Sequence, residues 1–330
     1  MGPGRPAAVA VTVASYRRMT TVLLPTTLTE PIDLPDGVRA VRYDVAQPVP
    51  DDALDAEVLV VWGNGRRQMR DAAARLTRLR WVASLAAGPD AVLECFDEPV
   101  VVTSGRGLHD GPVAEHTLAL LLACARRLPD LVHAQDEHRW AGDLGGIQPV
   151  HDDAFRTLGG AHVVVWGFGS IAARLAPLLV ALGARVTGVA RSAGARHGVP
   201  VVTADDLDDV LPTADALVSL LPATDGTRHV IDARVLGLLP AHAYVVNVGR
   251  GAVLDEEALV DALRSGRLGG AALDVFDREP LPAESPLWET PRLLVSPHAA
   301  GGRPLGAGAL LRRNLDAYLA GRPLTNVVER

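Results

Sequence analysis

The sequence predicts an α/β protein built from two Rossmann-like or flavodoxin-like domains, each a doubly wound parallel sheet. Three observations carry that expectation. Short apolar runs rich in Val and Leu alternate with helical stretches, the pattern of parallel strands covered by helices on both faces. Segment 162–192 holds a complete strand–turn–helix–strand unit around a Gly-rich turn. At 330 residues the chain has room for two domains of ordinary size.

Taken in order, TTVLLPT (20–26) reads as a first strand, VLVVWG (58–63) as another, and RWVASLAAG (80–88) as a strand ending in a turn. VVVTS (100–104) follows, and the Gly-rich SGRGLHDG (104–111) suits a hinge. VAEHTLALLLACARRL (113–128) reads as one long buried helix crossing between domains, too short to span a bilayer. Its Glu115 and His116 are adjacent, so they diverge by about 100° and do not face each other. HVVVW (162–166) is the next strand, and Pro177 is expected to kink or loosen the helix after it. ALVSLLP (216–222), AYVVNVG (243–249), GGAALDVF (269–276) and RLLVSPH (292–298) each read as a strand ending at a candidate site residue. In an open parallel sheet, ligands lie at those carboxyl ends. A leader is expected over 1–18, ahead of the folded chain.

Composition removes several classes of function. A net charge of −7 offers no attraction to nucleic acid or to an anionic membrane. All 32 basic side chains are Arg, so Schiff-base chemistry and the P-loop lysine are excluded. Cys95 and Cys124 have no metal-ligand spacing and form no framework of bridges, which fits a reducing cytoplasm. The histidines lack any HExxH-type spacing, so no metal is expected. The short apolar run 7–14 behind Arg5 resembles a weak signal peptide; an upstream start or a floppy leader accounts for it better, with folded sequence from near Met19.

GFGSIA supplies Gly167 for a tight turn and Gly169 for close approach of a pyrophosphate to a helix N-terminus. Ala172 stands where a third glycine is usual. An NAD enzyme places an acid at the end of the second strand to hold the ribose; this chain has Ala190, Arg191 and Ser192. Arg191 can pair with a 2′-phosphate, so NADP(H) is expected to be favoured and NAD(H) possible; a solvated arginine that discriminates little is the alternative. Ser170, Ile171, Pro222 and Val248 complete the candidate cofactor set.

NVGRG, DVFDREP and SPHAAG contribute Arg250, Glu279 and His298. Together they supply what reduction of a 2-keto acid needs: a cation for the carboxylate, an imidazolium for the carbonyl oxygen, and an acid to keep that imidazole charged. Each residue alone would read as a surface cation, a turn or a loop; three consecutive strand ends carrying all of them reverse that reading.

The ordered series SLAAGPD, VAEHTLALLLACAR, GFGSIA, NVGRGAVLDEEAL, ALDVFDREPLP and SPHAAG resembles the D-isomer-specific 2-hydroxyacid dehydrogenases from about Met19 onward. GVARS makes the glyoxylate/hydroxypyruvate reductase type the nearest match within them. The resemblance implies that Arg250 binds the substrate carboxylate, that His298 is general acid in reduction, and that Glu279 bonds its other ring nitrogen. It places Asp274 near the nicotinamide amide, and offers the Ala87 and Gly88 N–H groups to the carboxylate, with a plain strand-to-helix turn as the alternative. Pro89, which has no N–H, narrows that donor set. The resemblance implies a discontinuous substrate domain over 19–106 and 298–330 and a nucleotide domain over 107–297, with substrate expected between the domains of a cytoplasmic homodimer. Trp140 approaches the site from a partner subunit or packs a core or dimer contact. Members taking phosphorylated substrates carry a cation near Trp62, Gly63 and Asn64; here only Arg66 and Arg67 lie close, on a solvated helix start. The rivals are a phosphoglycerate-dehydrogenase-like enzyme and a nucleotide-sensing interaction protein on the same fold.

Overall fold

Two parallel sheets organise the chain, each with its own core, in a computed structural model that describes residues 19–145 and 154–329. The expected leader over 1–18 lies outside the described residues. One unit takes the chain up to Leu85, Pro89–Gly105 and the chain from Gly306; the other takes Ala86–Gly88 and Arg106–Leu305.

In the first unit the chain runs β1 (Thr20–Pro25), β2 (Val38–Tyr43), β3 (Val58–Val61), α1 (Arg66–Arg75), β4 (Trp81–Ser84), α2 (Asp90–Leu93) and β5 (Val101–Thr103). The strands are parallel in the order β2-β1-β3-β4-β5, the flavodoxin-like arrangement. Every residue of β1, β3 and β4 is buried, as expected of strands covered on both faces. Strand β2 was not foreseen: it is an edge strand whose Arg39 and Arg42 break the apolar run.

The second unit contains α3 (Asp110–Ala125), α4 (Leu128–Asp136), β6 (His162–Trp166), α5 (Ser170–Ala181), β7 (Arg185–Val189), β8 (Gly194–Arg196), β9 (Val199–Val202) and α6 (Leu207–Val210). It continues with β10 (Ala216–Ser219), α7 (Ala233–Leu238), β11 (Tyr244–Asn247), α8 (Glu256–Arg264), β12 (Gly270–Leu273) and β13 (Leu293–Val295). The strand order is β13-β12-β11-β10-β6-β7-β9-β8, parallel except for the edge strand β8, which runs antiparallel to β9. Side chains of β6 alternate between two cores: Val163 and Val165 enter one, Val164 and Trp166 the other. Leu217 and Val218 of β10, and Val245 and Val246 of β11, divide in the same way. A one-residue slip would exchange the two faces, so register is strongly specified.

The final helix, α9 (Ala307–Leu319), returns to the first unit. Tyr318 stacks at a tilt on Trp81, ring centroids 5.8 Å apart, and its hydroxyl donates to Glu57 at 3.3 Å.

Three expectations need correction or refinement. The helix expected over 113–128 begins at Asp110 and stops at Ala125; Arg127 takes a left-handed φ of 52° and a separate α4 follows. Helix α5 runs unbroken from Ser170 to Ala181 through Pro177, which lies on its exposed side. The return to the first unit comes after Leu305, not at 298, because the 298–300 backbone is bonded to Asp274 at the end of β12. His298 therefore belongs to the second unit.

Candidate active site

The carboxyl ends of β10, β11, β12 and β13 carry the loops that matter, and local chemistry fixes each of them. After β11, buried Asn247 donates from Nδ2 to the Arg250 carbonyl at 3.0 Å and accepts from the Gly249 N–H at 3.2 Å. An Asn side chain bonding its own downstream backbone builds such a turn without help from distant residues. The half-buried Arg250 guanidinium donates to the Gly249 carbonyl at 2.8 Å.

After β12, the chain folds back so that Glu279 Oε1 accepts from the Phe276 N–H at 2.9 Å. Its Oε2 lies 2.7 Å from His298 Nδ1, making an ion pair on which both side chains keep partial exposure, 35% and 48%. The hydrogen bond to Glu279 is the largest influence on His298 and raises its pKa; the Glu279 charge adds to this, while burial and the Arg250 charge work against it. For Glu279, burial is the largest single influence and pushes upward. The His298 bond, the Phe276 N–H and the charges of His298 and Arg250 outweigh it, so the carboxyl is held below its ordinary range. With Nδ1 bonded to Glu279, Nε2 is the ring atom left to exchange a proton.

Asp274 is fully buried, and its carboxylate accepts hydrogen bonds on both oxygens. Oδ1 accepts from Ser296 Oγ at 2.5 Å and the Ala299 N–H at 2.8 Å, and Oδ2 from the Ala300 N–H at 3.0 Å. His116 of α3 points its Nε2 at the same place, 3.0 Å from Ser296 Oγ and 3.3 Å from Asp274 Oδ1. The His298 N–H donates to the Asp274 carbonyl at 2.8 Å. Thus Arg250, Glu279, His298 and Asp274 come together at adjacent strand ends.

The Gly-rich turn lies at the point where strand order reverses, between β6 and β10, the usual ligand crevice of such sheets. Gly167 has φ 100°, and a Cβ there would sit 2.7 Å from the Leu220 carbonyl carbon, so this turn admits glycine alone. Gly169 faces open space where α5 begins, and a helix N-terminus of that kind attracts phosphate. Exposed Ser170 donates to Asp110 at 3.1 Å, and Ile171 is half-buried. Arg191 and Ser192 are exposed beyond β7. Arg196 of β8 braces that segment, donating to Ser192 O at 2.9 Å, Ser192 Oγ at 2.7 Å and Phe168 O at 3.2 Å. Val248 is buried, and the exposed Pro222 accepts from Thr227 Oγ1 at 2.7 Å. A glycine-only turn, an open helix start and a strand end without a carboxylate fit a dinucleotide.

Ala87 and Gly88 group with the second unit, Ala87 exposed. Asn64 closes the Trp62–Asn64 turn by accepting the Trp62 N–H at 2.9 Å, and Arg66 forms a bidentate pair with Glu94 at 2.8 Å. Trp140 is 96% exposed, which rules out a core role within the chain. Among the described residues no cluster could hold a metal ion, and no helix is long and apolar enough to cross a membrane. Three residues around the site escaped the sequence reading, Asn247, Ser296 and Arg196, and His116, read there as part of the domain-crossing helix, joins them. Asn247 carried a local signal, an Asn ahead of the Gly-Arg-Gly turn; Ser296 and His116 act through partners distant in sequence, and Arg196 through Ser192 close by and Phe168 further back.

The family model for the D-isomer specific 2-hydroxyacid dehydrogenase NAD binding domain matches residues 118–300. A glyoxylate reductase of Aeropyrum pernix is 34% identical over 300 residues, 87% of this chain and 89% of the relative. Glyoxylate/hydroxypyruvate reductase A of Salmonella newport is 34% identical over 77% of this chain and 81% of its own. Among solved structures, a D-isomer specific 2-hydroxyacid dehydrogenase of Xanthobacter autotrophicus in complex with NADPH and MES has TM-score 0.74 and 32% identity, covering 94% of this chain and 98% of that one. An NADPH-dependent glyoxylate/hydroxypyruvate reductase of Sinorhizobium meliloti in complex with NADP and sulfate has TM-score 0.78 and 27% identity over the same shares. With its sheet topology, its strand-end constellation and these matches in agreement, the chain belongs to the D-isomer specific 2-hydroxyacid dehydrogenase family.

Proposed function

We propose that this dehydrogenase reduces a small 2-keto acid of the glyoxylate or hydroxypyruvate kind to the D-2-hydroxy acid, with NADPH the favoured donor. The observation that carries the reading is the His298–Glu279 pair beside Arg250, with His298 held more basic than a free imidazole. Gly167, Gly169, Ser170, Ile171, Pro222 and Val248 would hold the dinucleotide, and Arg191 with Ser192 its 2′-phosphate, while Asp274, expected beside the nicotinamide but fully buried, would act from behind by fixing the His298 segment. When bound, the reduced nicotinamide supplies a hydride. Arg250 grips the substrate carboxylate through its planar fork and polarises the keto oxygen. The Ala87 and Gly88 N–H groups steady the other carboxylate edge. His298, charged through Glu279, gives its Nε2 proton to the oxygen as negative charge develops there.

The absence of an acid at the end of β7, where Ala190, Arg191 and Ser192 stand, supports NADPH. Two similar dehydrogenases were solved with NADPH or NADP bound. Steady-state oxidation of NADPH and NADH with glyoxylate and hydroxypyruvate tests both parts. NADPH is expected to give the higher kcat/KM, and Arg191→Ala to narrow the gap. A clear NADH preference in the unmutated protein would overturn the cofactor assignment, and no turnover of either acid the substrate assignment. Homodimerisation is supported by the exposed Leu128, Leu131 and Val132 of α4 together with exposed Trp140, and mass measurement by light scattering tests it.

A further inference from the structure

We propose that His116 is a positioning residue for the reduction: through Ser296 and Asp274, it sets the loop that presents His298. The reading rests on His298 as proton donor.

The Ser296 hydroxyl spends its proton on Asp274 Oδ1, at 2.5 Å. Its oxygen can therefore only accept from His116, 3.0 Å away, and the carboxylate oxygen 3.3 Å from the same ring nitrogen can only accept as well. His116 Nε2 is thereby fixed as a donor, aimed between two acceptors. Asp274 then receives from His116, Ser296, Ala299 and Ala300, spanning the segment on both sides of His298.

That segment needs holding. His298 has φ 52°, a left-handed conformation that costs a non-glycine residue on the order of 1 kcal/mol. Its own N–H is tied to the carbonyls of Asp274, at 2.8 Å, and Ser296, at 3.1 Å. The strained residue is thus suspended from the two residues that His116 bonds. The cluster is not a nucleophilic triad: Ser296 is 8% exposed and its proton is directed to Asp274, not to the imidazole.

Removing the His116 donor leaves the Ser296 oxygen and a buried carboxylate short of a partner, and the loop can then relax. Displacing a proton donor by about 1 Å costs roughly ten- to a hundredfold in rate. His116 also lines a cavity of about 300 Å³ with Glu115, Arg303, Ala299 and Ala300, so a flexible replacement can be accommodated without overpacking. Gln is the informative one, because its amide nitrogen restores a donor near the Nε2 position.

Steady-state kinetics of NADPH oxidation with glyoxylate, together with thermal unfolding, test the proposal on the unmutated protein, His116→Leu, His116→Gln, Ser296→Ala and the Leu/Ala double variant. In His116→Leu, kcat should fall ten- to hundredfold while KM for both substrates stays within about twofold. His116→Gln should recover most of the lost kcat. Ser296→Ala should be impaired in the same direction, and the double variant no worse than its poorer parent. Full kcat in folded His116→Leu, or a Gln variant no better than Leu, overturns the proposal. Should the Leu variant fail to fold, unchanged kcat in Ser296→Ala overturns it instead. His298→Ala serves as the control: full activity there would remove the underlying proton-donor reading, a result distinct from any failure of the His116 variants.

Discussion

At the residue scale, Glu279 decides over which pH range His298 is an acid. Its hydrogen bond and charge raise the His298 pKa, so the proton needed for reduction is retained to higher pH than by a free imidazole. Replacing Glu279 by Gln removes the charge and keeps the size. The alkaline limb of kcat/KM for reduction should then move to lower pH, because that limb reports the free enzyme's acid. His298→Ala should lower kcat by roughly a hundred- to ten-thousandfold at every pH, the usual worth of a positioned proton donor. The signs of linkage follow. Stability contributed by His298 is complete below the unfolded imidazole value of about 6.5 and is lost as pH rises through the folded value. Stability contributed by Glu279, whose pKa is lowered, is present above the ordinary carboxylate range and is lost as pH falls through its folded value. A pH–rate profile in Glu279→Gln that superimposes on the unmutated one would refute this coupling.

At the scale of elements, the loops after β11 and β12 are held by direct backbone approach. A Cβ on Gly251 would lie 1.8 Å from the Phe276 carbonyl carbon and 2.0 Å from its oxygen. Both partners are main chain, so neither can swing aside, and the loops bearing Arg250 and Glu279 must part. Gly251→Ala should therefore cost about 3 kcal/mol, the upper end for overpacking, and depress kcat as well. Urea unfolding measures the first, and a change below about 0.5 kcal/mol would show that the two loops yield freely. The same elements show what sequence can carry. Strands β6, β10, β11 and β12 were legible because burial on both faces demands unbroken apolar runs. Strand β2 was not, since only Tyr43 of its residues is fully buried and two arginines interrupt it. The break between α3 and α4 gave little warning: Arg127 adopts the left-handed conformation usually left to glycine. Arg250, Glu279 and His298 stood out because their chemistry is unusual at strand ends. His116 read only as helix structure, because its meaning comes from Ser296, 180 positions away.

At the scale of the whole molecule, the second sheet separates chemistry from support. Its carboxyl edge carries the site, whereas its amino edge carries a buried histidine network that the reaction does not touch. His162, 3% exposed, places Nε2 2.9 Å from Thr187 Oγ1 and Nδ1 3.0 Å from Thr213 Oγ1 and 3.1 Å from the Thr213 carbonyl. Asp215 accepts from the His162 backbone N–H at 2.6 Å and lies 2.9 Å from His242 Nε2, tying β6 to the ends of the neighbouring strands. Burial first, and then the Arg185 charge, hold the His162 pKa below its ordinary value, against the pull of the Thr213 carbonyl and Asp215. The sign is opposite to that of His298. With a depressed folded pKa, the His162 contribution is complete above about pH 6.5 and is lost as pH falls below it, because the native state resists a proton that the unfolded chain accepts. Acidification from about pH 7.5 to about 5.5 should thus weaken the fold through His162 while it completes the charge on His298. Urea unfolding at both pH values separates the two. His162→Gln, which keeps hydrogen-bonding groups but cannot titrate, should lose less stability on acidification than the unmutated protein. An equal loss in both would show that the amino edge of the sheet does not set the acid limit of this fold.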